Sequence, residues 1–305
     1  MKSKLPSRRD MKFYAKRWML HPTCLRVTLL LVCMQIAFLG LRFLFGGTLN
    51  YALVNLANYG DTASGIYVTQ EGISLIFRMD LTQLVLAIPM TYAQIAAFLG
   101  LSALFFLILA PLRLGAMEQY WRVLRGGQPV VYDVFPWYRE GKRFGKAVVV
   151  EFVLNVFVRL VGVIAMVPSL MLFYIFYTTT PSMEAYTDLS AITQFAATIL
   201  AVAAVVFAFW LHSLFLPVRY CLAAHPEYTL GETFRRGLAS TKGYRGQFFQ
   251  FRLSYIVWFF LSNLTYGALD FYVTPYTSMG GMVFVQEVAR ARQMEGEAQQ
   301  QPPSL

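Results

Sequence analysis

Three polar side chains, Glu151, Asn155 and Arg159, recur every four residues in an otherwise apolar stretch. Four-residue steps keep side chains on one face of an α-helix, because each step turns only about 40° beyond a full circle. A carboxylate, an amide and a guanidinium in one stripe can hold helices together, or they can carry a proton or a solute. The spacing predicts that the stripe faces the protein interior and that a neighbouring segment contacts Arg159, with Ser213, His212 or free helical carbonyls as candidates.

Two further polar residues lie in apolar stretches. His212 is predicted to be packed or hydrogen-bonded between helices, with proton handling as the alternative. Arg42 lies near one end of the first apolar stretch, where its guanidinium can extend to the membrane surface. The candidate intramembrane polar residues are therefore Arg42, Glu151, Asn155, Arg159 and His212.

Motifs for catalysis and cofactor binding do not occur in the chain: it has no zinc-protease HExxH, nucleophile-elbow GxSxG, phosphate-binding P-loop or dinucleotide-binding GxGxxG. Its three histidines are not spaced to share a metal ion, and its three cysteines lack zinc-site spacing. The sequence therefore predicts no catalytic, cofactor-binding or metal-binding residue, and no cofactor is expected.

The composition is that of a protein surrounded by lipid. Hydrophobic residues make up 57% of the 305 residues and charged residues 14%, against roughly 45 to 50% and 25% in soluble proteins. The net charge of +10 does not indicate nucleic-acid binding, because the basic residues lie in the connections between apolar runs. We expect no nucleic-acid partner.

The apolar runs predict an all-α, polytopic transmembrane helical bundle of about six spans, since a run of about 20 residues crosses a hydrocarbon core of roughly 30 Å. The last run contains Pro275, Gly280 and Gly281. An alternative is that the last two runs form a helical hairpin that does not cross completely. The six runs are 25–45, 85–112, 147–177, 192–218, 248–264 and 267–285.

Short amphipathic helices are predicted at the membrane surface over 72–84, 117–124 and 229–240. Gly126 and Gly127 would end the second, and the capping-box spacing from Thr229 to Glu232 would begin the third. Residues 1–24 are predicted to be a basic cytoplasmic leader, 25–286 the transmembrane helical domain, and 287–305 a disordered cytoplasmic tail.

The charges of the connections predict the orientation. Basic residues are in excess before the first run, between the second and third, and between the fourth and fifth. Positively charged connections face the cytoplasm, so both termini are expected there. The fourth connection is predicted to contact anionic lipid head groups, with a regulatory protein as the alternative partner, through Arg235, Arg236, Lys242 and Arg245.

The last third of the chain contains a series of short motifs. They are Tyr220-Cys-Leu-Ala-Ala-His-Pro-Glu227, Gly231-Glu-Thr, Ser240-Thr-Lys-Gly243, Phe248, Leu253-Ser-Tyr-Ile-Val-Trp258, Leu264-Thr-Tyr-Gly267 and Thr274-Pro-Tyr276. In order and spacing these motifs resemble the domain of unknown function 975 family of bacterial membrane proteins. The sequence departs from the family at Ala224 and His225, where an acidic Asp-Asn-Pro turn is usual. The resemblance implies a helical membrane fold and an envelope location in a bacterium, and it carries no activity.

Three functions remain open from the sequence. The first is a non-enzymatic envelope accessory or assembly factor that acts through helix packing and through contact with lipid or a partner protein. The alternative is a small-solute transporter or channel, and an intramembrane enzyme is the third. An aqueous cavity lined by charged span residues would favour transport, close packing would favour the accessory role, and converging carboxylates or histidines would favour an enzyme.

Overall fold

The computed structural model describes residues 5–45, 52–55, 65–68, 72–79, 84–179, 188–265 and 269–300. The chain divides into two compact units, one formed by Leu30–Leu109 and the other by Met1–Leu29 with Ala110–Leu305. Outside one small sheet, the regular structure in the described ranges is helical. This agrees with the predicted helical bundle.

The unit Leu30–Leu109 contains the small sheet. Its four antiparallel strands have the order β1-β4-β3-β2, and β3 pairs with β4 from Gly72 opposite Thr91 to Met79 opposite Leu84. Helix α2 precedes the sheet and α3 follows it, and the rings of Phe38 and Phe105 stack 4.2 Å apart between these two helices. The bounds are α2 Pro22–Phe45, β1 Ala52–Asn55, β2 Gly65–Val68, β3 Gly72–Met79, β4 Leu84–Thr91 and α3 Tyr92–Leu124.

Strand β3 corrects the prediction of an amphipathic helix over 72–84. Apolar residues occupy positions 73, 75, 77 and 79, which is the two-residue period of a strand. The isoleucines and phenylalanine of this segment also favour extended backbone. The second predicted span is shortened as well, because 84–91 is β4 and the helix begins at Tyr92.

Three helices are long and apolar enough to cross a membrane: Tyr92–Leu124, Gly141–Phe173 and Ala191–Ala224. A fourth candidate is the pair Arg8–Met19 and Pro22–Phe38, which bends by 84° at its break. The runs predicted as spans at 248–264 and 267–285 are not among them. The structure therefore supports three or four spans in its described part, fewer than the six predicted.

The second unit is built around two long antiparallel helices. The first consists of α5 (Gly141–Phe152), a π-helical turn (Val153–Phe157) and α6 (Val158–Thr179), and the second is α7 (Asp188–Ala224). Small residues allow α6 and α7 to approach closely, since a Cβ on Gly162 would lie 2.9 Å from Cβ of Ala208. Ser169 Oγ donates a 2.7 Å hydrogen bond to the carbonyl of Ala197.

The segment 117–124 is the last part of α3 rather than a separate surface helix. Gly126 ends α3 as predicted, because its φ of +79° lies in the left-handed region that favours glycine. A 3₁₀ turn (Val131–Val134) and α4 (Pro136–Arg139) follow. Glu118 anchors them to α3 by accepting a 2.7 Å hydrogen bond from Trp137 Nε1.

The third predicted surface helix is confirmed as α8 (Leu230–Ser240). Thr229 Oγ1 accepts a hydrogen bond from the backbone amide of Glu232, whose carboxylate accepts one from the amide of Thr229. This reciprocal pair is the capping box that the sequence predicts.

The predicted fifth and sixth spans take a different form. Helices α9 (Arg245–Leu253) and α10 (Ile256–Leu264) are separated by a break at Ser254, and each has nine residues. Helix α11 (Asp270–Gln300) continues through Pro275, Gly280 and Gly281.

The same helix corrects the prediction of a disordered tail, because residues 287–300 are its last turns. The basic leader is also helical over α1 (Arg8–Met19), and it packs against α11. Met11, Ala15 and Met19 are the buried residues of α1. The leader therefore lies against the last helix of the described chain.

Candidate functional site

Glu151 lies at the centre of a buried polar cluster, which we call the Glu151 cluster: Arg113, Glu151, Asn155 and Arg219. The Glu151 side chain is completely buried. Arg219 of α7 approaches it with two nitrogens, Nε at 2.6 Å from Oε1 and Nη2 at 2.8 Å from Oε2. Arg113 Nη1 of α3 lies 3.7 Å from Oε2. One carboxylate thus joins three long helices.

Asn155 completes the contacts of this carboxylate from its own helix. Its Nδ2 donates to Glu151 Oε2 at 2.6 Å and to the Glu151 carbonyl at 3.1 Å. Asn155 belongs to the π-helical turn, where backbone hydrogen bonds span one residue more than in an α-helix. The first two members of the predicted stripe are therefore brought together, and they face the protein interior.

Arg159, the third member of the stripe, is exposed. An extra residue in the π-turn rotates everything after it by about 100° relative to a regular helix. Val158 is buried instead, with 2% of its surface exposed. The prediction that Ser213 or His212 contacts Arg159 is wrong, although Arg159 still acts electrostatically on Arg113 and His212.

Arg252 of α9 takes the contacts that the sequence assigns to Arg159. Its Nη1 donates to His212 Nδ1 and to Ser213 Oγ, both at 2.9 Å. The guanidinium carbon lies 4.9 Å from the ring centroid of Phe209, within cation–π distance. His212 is therefore hydrogen-bonded between helices, which is one of the two alternatives predicted for it. The side chain of Arg42, the remaining candidate, lies outside the described part of the chain.

These contacts define what the side chains can do. Glu151 is held between two guanidinium groups: its Oε2 accepts hydrogen bonds from Arg219 and Asn155, and its Oε1 is in ion-pair contact with Arg219 Nε. His212 Nδ1 must accept the hydrogen bond from Arg252, because a guanidinium has only donors, and this fixes the neutral tautomer protonated at Nε2. Within the described part of the chain, no three His, Cys, Asp or Glu side chains form a group that could hold a metal ion.

The sequence pattern does not identify the partners of Glu151 and His212. Arg113 and Arg219 directly follow the apolar runs 85–112 and 192–218, so they count as cations of the connections. Arg252 is the only charged residue in the run 248–264. A charge alone in an apolar run needs a partner, and this is the signal that could have identified it.

The cations of α8, of the turn after it and of the first residue of α9 form an exposed basic surface, made up of Arg235, Arg236, Lys242 and Arg245. Arg236 is the most restrained, because its Nη1 donates to the Tyr228 hydroxyl at 2.8 Å and its guanidinium carbon lies 4.3 Å from that ring centroid. The hydrogen bond from the Thr229 backbone lowers the pKa of Glu232, which stays ionised beside these cations.

The Glu151 cluster and the exposed basic surface both lie within residues 61–292, the segment that a family model recognises. The chain belongs to the family described as protein of unknown function (DUF975). This confirms the resemblance found in the last third and extends it over most of the chain. No curated protein and no solved structure matches.

The motif residues that carry the resemblance to the DUF975 family pack the end of the second unit together. Tyr220 is 2% exposed, and its Cε2 would lie 2.7 Å from a Cβ on Gly281. Tyr276 packs edge-on against Tyr255, with ring centroids 5.0 Å apart. These motif positions therefore hold α7, the α9–α10 break and α11 in contact.

Proposed function

We propose that the protein is a non-enzymatic protein of the bacterial cell membrane that acts as an envelope accessory or assembly factor, through helix packing and contact with anionic lipid or a partner protein. The observation that carries this proposal is the complete burial of Glu151 between Arg113 and Arg219. A buried carboxylate that forms ion pairs with guanidinium groups of two other helices supports a fixed structural role better than a role as a nucleophile or base.

The exposed basic surface supports contact with lipid. Arg235, Arg236, Lys242 and Arg245 belong to α8 and the segment after it, directly beyond the end of the apolar helix α7. Cations next to the end of a membrane-crossing helix attract anionic head groups by about 1 kcal/mol each. Lipid contact therefore needs no specific pocket on this surface.

A cytoplasmic position of both termini is part of the proposal. The connections after α3 and α7 are rich in Arg and Lys, which favours the cytoplasmic side. Helices α1 and α11 pack against each other, so the two ends belong on the same side of the membrane. An even number of crossings, such as four, is consistent with this arrangement.

Deletion of the gene in its native host tests the proposal. We expect the envelope lipid profile to change while soluble metabolites do not accumulate. A plasmid copy with Arg235→Lys and Arg236→Lys is expected to restore the profile, because it keeps the charge. A copy with Arg235→Glu and Arg236→Glu is expected to fail, because each lost charge weakens lipid association by about 1 kcal/mol, and reversal adds repulsion.

The plasmid copy with Arg235→Glu and Arg236→Glu also provides the outcome that would contradict the proposal. If it inserts and binds anionic lipid normally while the deletion defect persists, the basic surface serves another purpose and the proposal is wrong. Anionic-lipid binding is measured on the purified copies with phosphatidylglycerol, and insertion by the amount of folded protein in extracted membranes.

A second candidate, passage of a small anion, is favoured by the excess of cations around Glu151. Arg113 and Arg219 both form ion pairs with Glu151, and Arg219 also acts electrostatically on Arg252. Chloride efflux from vesicles that contain the purified protein distinguishes the candidates. Efflux above that of empty vesicles, abolished by Arg252→Gln, would replace the accessory role by transport.

A further inference from the structure

A groove of about 430 Å³ lies beside α1, and its lining includes none of the residues of the Glu151 cluster or of the basic surface of α8. It is open to the surface, and its lining combines cations with aromatic rings. The cations all come from α1 and the rings from α1 and α11: Arg8, Arg9, Lys12, Lys16, Phe13 and Tyr276.

The four cations of this groove keep their charge unneutralised. Lys12 Nζ donates to the carbonyl of Ser254 at 2.9 Å and lies 4.3 Å from the centroid of the Tyr255 ring. Arg8 is hydrogen-bonded to the amide oxygen of Gln250. Both partners are neutral, so they orient the two cations and leave their charge available to an anion.

Arg9 and Lys16 have no hydrogen-bond or ion-pair partner among the described residues, and both are exposed. Asp10, the acid of α1, accepts a 2.6 Å hydrogen bond from Ser7 and does not line the groove. Four positive charges therefore converge on one cavity without a carboxylate among its lining residues. An anionic ligand with several oxygen atoms matches this arrangement.

The direction of α1 places the groove at the depth of lipid head groups. The axis of α1 is bent by 84° from that of Pro22–Phe38, so α1 runs along the membrane surface if α2 crosses the membrane. Phe13 of the groove is 72% exposed. An exposed aromatic ring beside Arg and Lys is typical of a helix that lies in the lipid interface.

We propose that this groove is a specific binding site for one anionic phospholipid, with the phosphate held by Arg9, Lys12 and Lys16 and with Phe13 beside the upper acyl chains. The site rests on the proposed function, because it gives lipid contact a defined place. It differs from the basic surface of α8 in having a cavity and oriented cations, so it should retain a lipid in detergent solution.

Native mass spectrometry of the purified full-length protein with added phosphatidylglycerol tests the site. Removing two cations with Arg9→Gln and Lys16→Gln is expected to weaken binding of the first lipid roughly thirtyfold, since each base near the surface contributes about fivefold. Arg9→Lys with Lys16→Arg keeps the charge and is expected to bind as the native protein does. Neither Arg9 nor Lys16 makes a hydrogen bond or ion pair with the described residues, so both double variants should fold.

The charge-matched control is Arg139→Gln with Lys142→Gln, which removes two exposed cations outside the groove. It should leave binding of the first phosphatidylglycerol unchanged. Unchanged binding in the groove variant, equal retention of phosphatidylcholine, or displacement of the lipid by excess inorganic phosphate would each overturn the site. The last result would mean that the groove recognises free phosphate.

Arg235→Gln with Arg236→Gln, measured on anionic bilayers, keeps the two proposals apart. If this variant loses bilayer association and the groove variant retains its lipid, the groove site is rejected and the proposed function stands. If neither variant loses lipid, both are rejected. If only the groove variant loses lipid, the site stands and the broader basic surface is rejected.

Discussion

Glu151 is an anion shared by three helices, and its energetics follow from its complete burial. Removing a carboxylate from water costs several kcal/mol, and the attraction of nearby cations offsets this only with close geometry. Arg219 supplies that geometry with two nitrogens at 2.6 and 2.8 Å. Breaking this ion pair should therefore strongly reduce the free energy of unfolding.

Glu151→Gln should destabilise the protein by about 3 to 5 kcal/mol, because it leaves the guanidinium groups of Arg113 and Arg219 without a counter-charge. The amide keeps the shape of the side chain, so the loss reports charge and not volume. Thermal unfolding of the detergent-solubilised protein measures the effect. Adding Arg219→Leu to Glu151→Gln should recover part of the loss, since one of the two uncompensated cations is then removed.

Arg159→Leu on the same helix is the matched control, and it should leave the unfolding temperature nearly unchanged. Arg159 is exposed, so leucine at this position meets lipid or solvent without breaking an ion pair. A loss of stability as large as that of Glu151→Gln would place Arg159 in the interior and contradict the phase shift by the π-turn. Both variants should have the helix content of the native protein.

The same three residues show how much of the site the sequence contains. Four-residue spacing correctly predicts that Glu151 and Asn155 lie on one interior face. It fails at Arg159, because the period of a helix changes where a π-turn is inserted and no residue type marks that insertion reliably. The partners Arg113 and Arg219 come from sequence positions far away, and spacing within one helix carries no information about them.

At the scale of elements, local chemistry decides which predictions succeed. The capping box at Thr229 and the stop at Gly126 are confirmed, because each depends on a few neighbouring side chains and a backbone angle. The prediction of a helix over 72–84 is wrong for the segment 72–79, which is a strand and whose apolar residues alternate with a strand period. Short apolar runs fit both periods, and pairing with β4 is a non-local contact that decides between them.

Gly237 is the point at which α8 packs against α7, and it gives a prediction at this scale. A Cβ on Gly237 would lie 2.5 Å from Cα of Val218, which is backbone and cannot move aside. Gly237→Ala should therefore destabilise the α7–α8 contact by roughly 1 to 3 kcal/mol, although alanine is the better helix former. Thermal unfolding and protease sensitivity of α8 measure the effect.

Gly231→Ala in the same helix is its control. Nothing lies within 4 Å of a Cβ built on Gly231, so the substitution should leave stability unchanged or raise it slightly through helix propensity. If the two substitutions have equal effects, the approach of α8 to Val218 is looser than the structure gives.

At the scale of the whole molecule, composition predicts a membrane protein, and the charge of each connection predicts its side of the membrane. Neither determines the number of crossings. Three helices of 33 or 34 residues are about 50 Å long, so they exceed a hydrocarbon core of roughly 30 Å. By contrast, α9 and α10 have nine residues each. Hydropathy averages over the break at Ser254, so the sequence predicts one span over 248–264 where the structure has two short helices.

Single-cysteine labelling in intact cells decides the orientation. In a background without Cys24, Cys33 and Cys221, a membrane-impermeant thiol reagent should fail to label Gly127→Cys and Ser240→Cys. Ser64→Cys and Ser182→Cys should react, although both residues lie outside the described part of the chain. Reaction at Gly127→Cys in intact cells would reverse the proposed orientation.

Thr265 separates four crossings from six. With six crossings, the turn after residue 264 faces the outside, so Thr265→Cys would react with the reagent in intact cells. Lys12 of α1, the helix proposed to lie on the cytoplasmic membrane surface, donates to the carbonyl of Ser254, so the start of α10 lies at the level of α1. The nine residues of α10 then extend only about 14 Å, less than half of the hydrocarbon core. With four crossings Thr265 does not reach the outer surface. We therefore expect Thr265→Cys to stay unlabelled in intact cells, like Gly127→Cys. Labelling equal to that of Ser64→Cys would instead support six crossings, with two of them within 248–285.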